Sequence, residues 1–251
     1  MNYSLHDMKP FIGIPVNRDF PWQTTISVAM MTRLLEQRKR PYEFELMING
    51  TIITKTRSML IGTFLRTDCT HCVFIDSDMS WDPAGFLRLL AMGTVMDVVA
   101  VAYLKKEDPP IWPVNMKFDG LRSNEHGCLP IVGTGLGFTI VRREFIEALA
   151  KKCTWIWDEQ GEYPMMFRTG IKQVDGKNIF AGEDILFFED LAAVGAKVWL
   201  DPSIVLGHVG GKEWRGKFAS KLKSLAEAVA EGVAPSPSSL SSDPADVPQL
   251  T

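Results

Sequence analysis

Asp76 and Asp78 are the residues from which a chemistry can be argued first. They stand at i, i+2 in the stretch Val73-Phe74-Ile75-Asp76-Ser77-Asp78-Met79-Ser80-Trp81-Asp82-Pro83. The run before them, Cys72 to Ile75, is apolar and rich in β-branched and aromatic types, the pattern of a buried strand. Carboxylates are costly to desolvate, so packing gives no reason to end such a strand on two of them. At the carboxyl end of a strand in an open α/β sheet they face the crevice where ligands bind. Two hard oxygen ligands there suit Mg²⁺ or Mn²⁺, and such an ion can hold a diphosphate. The spacing alone also fits a solvated turn, with Asp82-Pro83 opening the next helix.

Two later stretches carry the same kind of chemistry. Glu183 and Asp184, in Ala181-Gly182-Glu183-Asp184-Ile185-Leu186-Phe187-Phe188, open a helix that runs to Val194, with Gly195 as its C-cap. Acidic residues at a helix start are also ordinary partners of the helix dipole. After a strand over Ala196 to Leu200, His208 stands among glycines in Gly207-His208-Val209-Gly210-Gly211. A neutral imidazole is a good metal ligand, though a lone histidine is more often structural. Lys212, Trp214, Arg215 and Lys217 follow closely, a basic stretch able to cover a diphosphate.

The order of these three features, D-x-D, then Gly-Glu-Asp at a helix start, then an isolated histidine after a strand, resembles the GT-A fold glycosyltransferases. It is most similar to small phage and bacterial proteins related to family 2, over roughly Pro10 to Trp214. The resemblance implies a mixed, mainly parallel sheet flanked by helices, and transfer of a sugar from a nucleotide-sugar, a UDP-sugar above all, to a hydroxyl. It implies a metal held by Asp78 and His208, with Asp76 serving the metal or the ribose and Ser77 beside them. It implies a catalytic base at Asp184, with Glu183 next, if the reaction inverts configuration. Pro15, Asn17 and Arg18 would contact the base and ribose, and Arg57 the nucleotide. Gly133, Thr134 and Gly135 would line the donor sugar, and Lys212, Trp214 and Arg215 the diphosphate. The acceptor stays open among a saccharide, a protein and a hydroxylated base in DNA. A nucleotidyltransferase also uses paired acids and a metal, but Phe11 to Phe20 lacks the Gly-rich basic signature expected of one. A non-catalytic nucleotide-sugar-binding module is the reading from another class.

The elements that must position these residues are legible in outline. Phe11 to Val16 reads as the first strand and Thr25 to Arg38 as a helix capped by Thr24 or Thr25 and stopped by Pro41. Phe44 to Ile48 reads as a second strand, Asn49-Gly50 as a turn, and Ile52 to Leu65 as the helix that carries Arg57. That arginine is read either as a nucleotide contact or as a solvated surface residue. A helix follows from Pro83 to Met92, then a central strand from Asp97 to Ala102. Lys105 and Lys106, just beyond it, emerge near the sheet's carboxyl edge, where they could meet phosphate, though the solvated reading is preferred. Val114 to Phe118 suggests a short strand and Asp119-Gly120 a turn.

Ile131 to Val141 holds Gly133, Gly135 and Gly137 at alternate positions. No Gly-Lys-Ser/Thr follows, so it is not a P-loop, and a strand rather than a helix follows, so it is not a Rossmann turn. Glycines so placed suit close approach of backbone to a ligand. Arg142 to Lys151 reads as a helix. Trp155 to Asn178 is rich in aromatics and Met without clean periodicity and is expected to be irregular; the resemblance implies that it shapes the acceptor site, and a loop packed by its own aromatics fits it equally.

Composition bounds the rest. A chain of 251 residues that is 46% hydrophobic can bury one good core, which suits one α/β domain over 1–231. Lys217 to Glu231 reads as its last helix. Gly232 to Thr251 is Pro/Ser/Asp/Ala-rich and is expected to be a disordered tail. The formal charge of −3 gives no global field for nucleic acid. No apolar run approaches the length of a bilayer span, and Met1 to Pro10 has no signal-peptide core, so the cytoplasm is expected. Among Cys69, Cys72, Cys128 and Cys153, the pair Cys69-Thr70-His71-Cys72 has C-x-x-C spacing but no second pair to close a zinc site. Ordinary packing is the expected role of all of them.

Overall fold

The computed structural model of the protein describes residues 4–18, 20–48, 50–116, 122–174 and 176–223. The first part of the chain lays down β1 (Pro10–Val16), α1 (Trp22–Gln37), β2 (Glu43–Ile48), α2 (Ile53–Leu65) and β3 (His71–Ile75). Next come β4 (Met79–Trp81), α3 (Pro83–Gly93), β5 (Val98–Ala100), β6 (Asn115–Met116), β7 (Leu129–Gly133), β8 (Phe138–Arg142) and α4 (Arg143–Ala150). The last part holds β9 (Trp155–Asp158), β10 (Gly161–Pro164), β11 (Gly170–Val174), β12 (Lys177–Ala181), α5 (Glu183–Ala193), β13 (Val198–Leu200), β14 (Val205–Val209) and β15 (Glu213–Lys217).

The central sheet has eight strands in the order β2-β1-β3-β8-β5-β13-β7-β6. β1 is parallel to β2 and β3, and β13 is parallel to β5. β8 lies antiparallel between β3 and β5, so those two share a direction. β7 opposes β13, and β6 opposes β7. Thus β1, β2, β3, β5, β6 and β13 run one way and β7 and β8 the other, a mixed but mainly parallel sheet.

Both faces of this sheet are covered, which is why its strands read as continuous apolar runs rather than alternating ones. In β3 the side chains still alternate between faces. Cys72 and Phe74 join one core cluster, with Phe64, Phe187 and Phe188. Val73 and Ile75 join the other, with Ile14, Phe86 and Phe138. Phe74 packs edge-on against Phe167 and Phe187, each at 5.8 Å between ring centroids. α5 supplies Phe187, Phe188 and Leu191 to that core and buries Leu186 as well, which fixes the helix that starts with Glu183 and Asp184. All four cysteines are free, and Cys69 and Cys72 are buried. Burial pushes both thiols above their usual range, so they pack as small apolar groups.

Three features differ from the sequence expectation. α1 begins at Trp22, because Pro21 has its φ fixed near −54° and its carbonyl accepts the Thr25 amide at 2.9 Å. Thr24 is buried in the core and caps nothing. The stretch expected to be irregular folds as two hairpins, β9–β10 and β11–β12. Met79–Trp81 leaves the turn after Asp78 as a strand and joins a second sheet of order β15-β14-β4. The last helix begins at Phe218 and is described to residue 223; its expected continuation to Glu231, the tail from Gly232, and the Asp119-Gly120 turn lie outside the described residues.

Candidate active site

The site is built on the turn that ends β3. The Asp76 amide donates to the Gly137 carbonyl at 3.0 Å, and the Asp76 carbonyl accepts the Met79 amide at 3.1 Å. This turn sends its two carboxylates to different partners. Asp76 is taken by Arg57, whose Nη2 lies 2.8 Å from Oδ1. Asp78 faces Lys106 and His208.

Arg57 is the hub of the first group. It sits in α2 at only 3% exposure, so it is not a solvated surface arginine. Its Nη1 donates to Glu183 Oε1 at 3.1 Å and, more closely, to Asp184 Oδ1. One guanidinium thus serves three carboxylates, and the group is short of positive charge. Asp184 registers the deficit. Burial raises its pKa, Arg57 opposes this, and Asp76 and Glu183 add to it, leaving the carboxyl at about 6. A half-buried carboxyl poised near neutrality, at the amino end of a helix, is suited to taking a proton.

His208 belongs to the second group, and the second sheet puts it there. In β14 it pairs with Met79 of β4, while the Val209 amide donates to the Asp78 carbonyl at 2.8 Å. Its Nδ1 lies 2.8 Å from the Leu104 carbonyl, an atom that only accepts. Nδ1 therefore carries a proton, and Nε2 is the ring nitrogen that faces Asp78 Oδ2 at 3.5 Å. Burial opposes ionisation of Asp78, but His208 and Lys106 outweigh it and hold the carboxyl below the usual carboxylate range. One carboxylate oxygen and one oriented imidazole nitrogen make a donor pair that fits Mn²⁺ or Mg²⁺. Ligand atoms of Asp76, Asp78 and His208 do not all come within 4.8 Å of one another. Among the described residues, three ligand atoms converge within 4.8 Å at Glu43, Asp68 and Cys69 instead. The Lys9 ammonium already pairs with both of those carboxylates.

A cleft of about 590 Å³ opens beside Asp78, lined in part by Asn17, Arg18, Trp22, Ser77 and Lys106. The other residues expected at the site have structural employment. Pro15 is buried within β1. Gly133 makes room for Phe188, since a Cβ there would lie 3.1 Å from that ring. Thr134 donates its hydroxyl to the Pro113 carbonyl at 2.9 Å. Lys212 and Trp214 both bind Asp108, at 2.8 and 3.3 Å, and Arg215 binds Ser80 and Glu213, at 3.1 and 2.9 Å.

The sequence expectation gives Tyr103 no role, and offers Lys106 phosphate or solvent but not the Asp78 carboxylate that it binds. Both follow a central strand at its carboxyl end, the same position that marked Asp76. The Tyr103 ring meets His208 edge-on at 5.0 Å. Burial, with Asp76 and Asp184 nearby, raises its phenol well above the usual range, so it stays protonated. Gly135 and Gly137 exist for these neighbours. A Cβ at Gly135 would stand 2.1 Å from the Tyr103 hydroxyl, and one at Gly137 would stand 2.7 Å from Asp76 Oδ2. Gly135→Ala is therefore expected to force Tyr103 off its position against His208 and to cost about 1–3 kcal/mol. Chemical denaturation measures this, and an unchanged midpoint would show that the ring moves freely.

No protein-family model and no curated protein matches the chain. Solved structures do. A197 from STIV is similar with a TM-score of 0.52 at 19% identity, over 84% of this chain and 91% of that one. GalNAc-T7, solved with UDP, GalNAc and Mn²⁺, gives 0.49 at 10% identity; 81% of this chain is covered and 43% of that one. A Drosophila β-1,4-galactosyltransferase 7 mutant in complex with manganese, UDP-Gal and xylobiose gives 0.42 at 16% identity, over 77% and 65%. The chain thus spans less than half the length of GalNAc-T7. What these likenesses show is the fold: the chain shares its mixed, mainly parallel α/β fold with A197 from STIV. Within that fold, the D-x-D turn lies at the end of β3, the acidic pair at the start of α5, and the histidine in the second sheet.

Proposed function

We propose that the protein is a metal-dependent glycosyltransferase that moves a sugar from a nucleotide-sugar donor, a UDP-sugar, to a hydroxyl acceptor. The observation that carries this reading is the division of labour at the Asp76–Asp78 turn. On one side Asp78 and His208 form a ligand pair at the edge of an open cleft. On the other, Arg57, itself paired with Asp76, holds Asp184, a half-buried carboxyl with a pKa of about 6. When bound, Mn²⁺ or Mg²⁺ would neutralise the leaving diphosphate. Asp78 and the Nε2 of His208 would hold that ion, with Leu104 keeping the imidazole in the right tautomer. Asn17 and Arg18, on the cleft wall, would contact the base and ribose. Asp184 would take the proton of the acceptor hydroxyl, with Arg57 fixing its orientation and Glu183 beside it. The acceptor class that we favour testing first is a saccharide, with protein and hydroxylated DNA as parallel arms. Among the described residues no helix is long and apolar enough to cross a membrane.

The experiment is a thermal-shift and calorimetry screen of nucleotide-sugars with and without Mn²⁺. A ligand at about a hundredfold over its dissociation constant adds roughly 2.7 kcal/mol, which is readily seen. Stabilisation should require the ion and vanish with EDTA. Asp78→Asn should abolish Mn²⁺-dependent nucleotide binding without loss of the fold; unchanged binding would rule out Asp78 as a ligand. Release of free sugar or a transferred product separates an enzyme from a binding module.

A further inference from the structure

Lys106 reaches into the ligand pair itself. Its ammonium bonds to Asp78 Oδ2, the same oxygen that faces His208 Nε2 at 3.5 Å. Lys105, its neighbour, points elsewhere, with its ammonium 4.0 Å from Glu107. We propose that Lys106 is a displaceable counter-ion, which neutralises Asp78 while no divalent cation is bound and turns to the donor's diphosphate once a cation takes that carboxylate. This rests on the function proposed above.

A divalent ion on Asp78 and the Lys106 ammonium compete for one oxygen. Held side by side, a divalent cation and an ammonium repel, and more strongly in a half-buried site than in water. One of them must leave, and the protein is built so that the lysine head can. The backbone around it is pinned. The Lys105 amide donates to the Ile111 carbonyl at 2.9 Å, and Asp108 ties the loop to Lys212 and Trp214. The stem lies over Gly210, where a Cβ would come within 3.0 Å of the Lys106 Cδ. The head, by contrast, is on a flexible four-carbon stem and opens on the cleft that Arg18 also lines. Displacement is then a rotation about side-chain bonds, with no movement of the loop. In the cleft the anion that arrives together with the cation is the diphosphate. Lys106 thus keeps a carboxylate from standing unpaired in the empty site and supplies positive charge to the loaded one.

The test is Lys106→Met, which keeps the stem and removes the charge, with Lys105→Met as control. Titration with Mn²⁺ alone, followed by calorimetry or by the electron paramagnetic resonance of the free ion, should show roughly tenfold tighter binding to Lys106→Met. Titration with UDP at saturating Mn²⁺ should show roughly tenfold weaker binding to the same variant. Lys105→Met should change neither. Mn²⁺ affinity that is equal to or weaker than that of the wild type overturns the proposal, and so does unchanged UDP affinity. Either result leaves the glycosyltransferase reading standing as long as Mn²⁺ still binds. Absence of Mn²⁺ binding to both proteins overturns that reading and the role of Lys106 together.

Discussion

Asparagine at position 184 is expected to lower turnover by roughly 10²–10⁴-fold while the nucleotide-sugar still binds, the range typical of a lost general base. The substitution preserves shape, and the amide oxygen still accepts from Arg57 Nη1, so the hub keeps its geometry. What disappears is the group that takes the proton. The pH dependence separates this from a packing effect. With Asp184 at about 6, the wild-type rate should rise with pH through that value and level off above it. The residual rate of Asp184→Asn should lack that limb. Stability should move in the opposite sense. A carboxyl whose folded pKa is raised favours the fold at low pH, and that contribution is lost as pH rises through about 6. Asparagine carries no such dependence, so above that pH the variant should melt no lower than the wild type. Rate profiles, donor affinity and melting curves for the two proteins decide the matter. A variant that turns over normally would remove Asp184 from the chemistry, and one that melts much lower would make it a structural group.

The parts of this site that sequence disclosed are those with local signals. The apolar run into Asp76, the Pro83 start of α3 and the Gly195 end of α5 each depend on a few neighbouring residues. α3 illustrates this: its N-cap Asp82 accepts the Ala84 amide at 2.7 Å, two positions away. The parts that stayed hidden depend on residues far apart. Arg57 looks like any helix arginine in Ile52 to Leu65, because its acidic partners in α5 stand 126 and 127 positions later. β4 is three residues long, too short to show alternation, and only its pairing with β14 makes it a strand. The hairpins β9–β10 and β11–β12 escaped for another reason. Trp157 and Phe180 are 74% and 72% exposed, so the apolar residues there do not mark a buried face. The glycines of Ile131 to Val141 suggested close approach to a ligand, and the pattern cannot say which group approaches. At Gly133, Gly135 and Gly137 what approaches is the protein's own Phe188, Tyr103 and Asp76.

Arg57 is where fold and chemistry meet, and Arg57→Met should be the most damaging single change in the site. Methionine fills much of the volume, so the loss is electrostatic. It leaves Asp76, Glu183 and Asp184 facing one another, partly buried, with no cation among them. Removing one partner from a buried charge group typically costs about 3–5 kcal/mol. In a chain of this size that lowers the melting temperature by on the order of 10 °C. The sign with pH follows from the same contacts. Arg57 holds the Asp184 pKa down, so its removal raises it further, and the folded variant binds protons more readily than the unfolded chain. The variant should therefore regain stability as pH falls from 8 to 5, and the gap to the wild type should narrow. Arg57→Lys is the companion measurement. A lysine keeps the charge but cannot reach Asp76 with one nitrogen and the α5 acids with another. It should recover much of the melting temperature and little of the turnover. Equal melting of Arg57→Met and wild type at pH 8 would show that the three carboxylates do not need a common cation, and the assignment of Asp184 as a base held by Arg57 would fall with it.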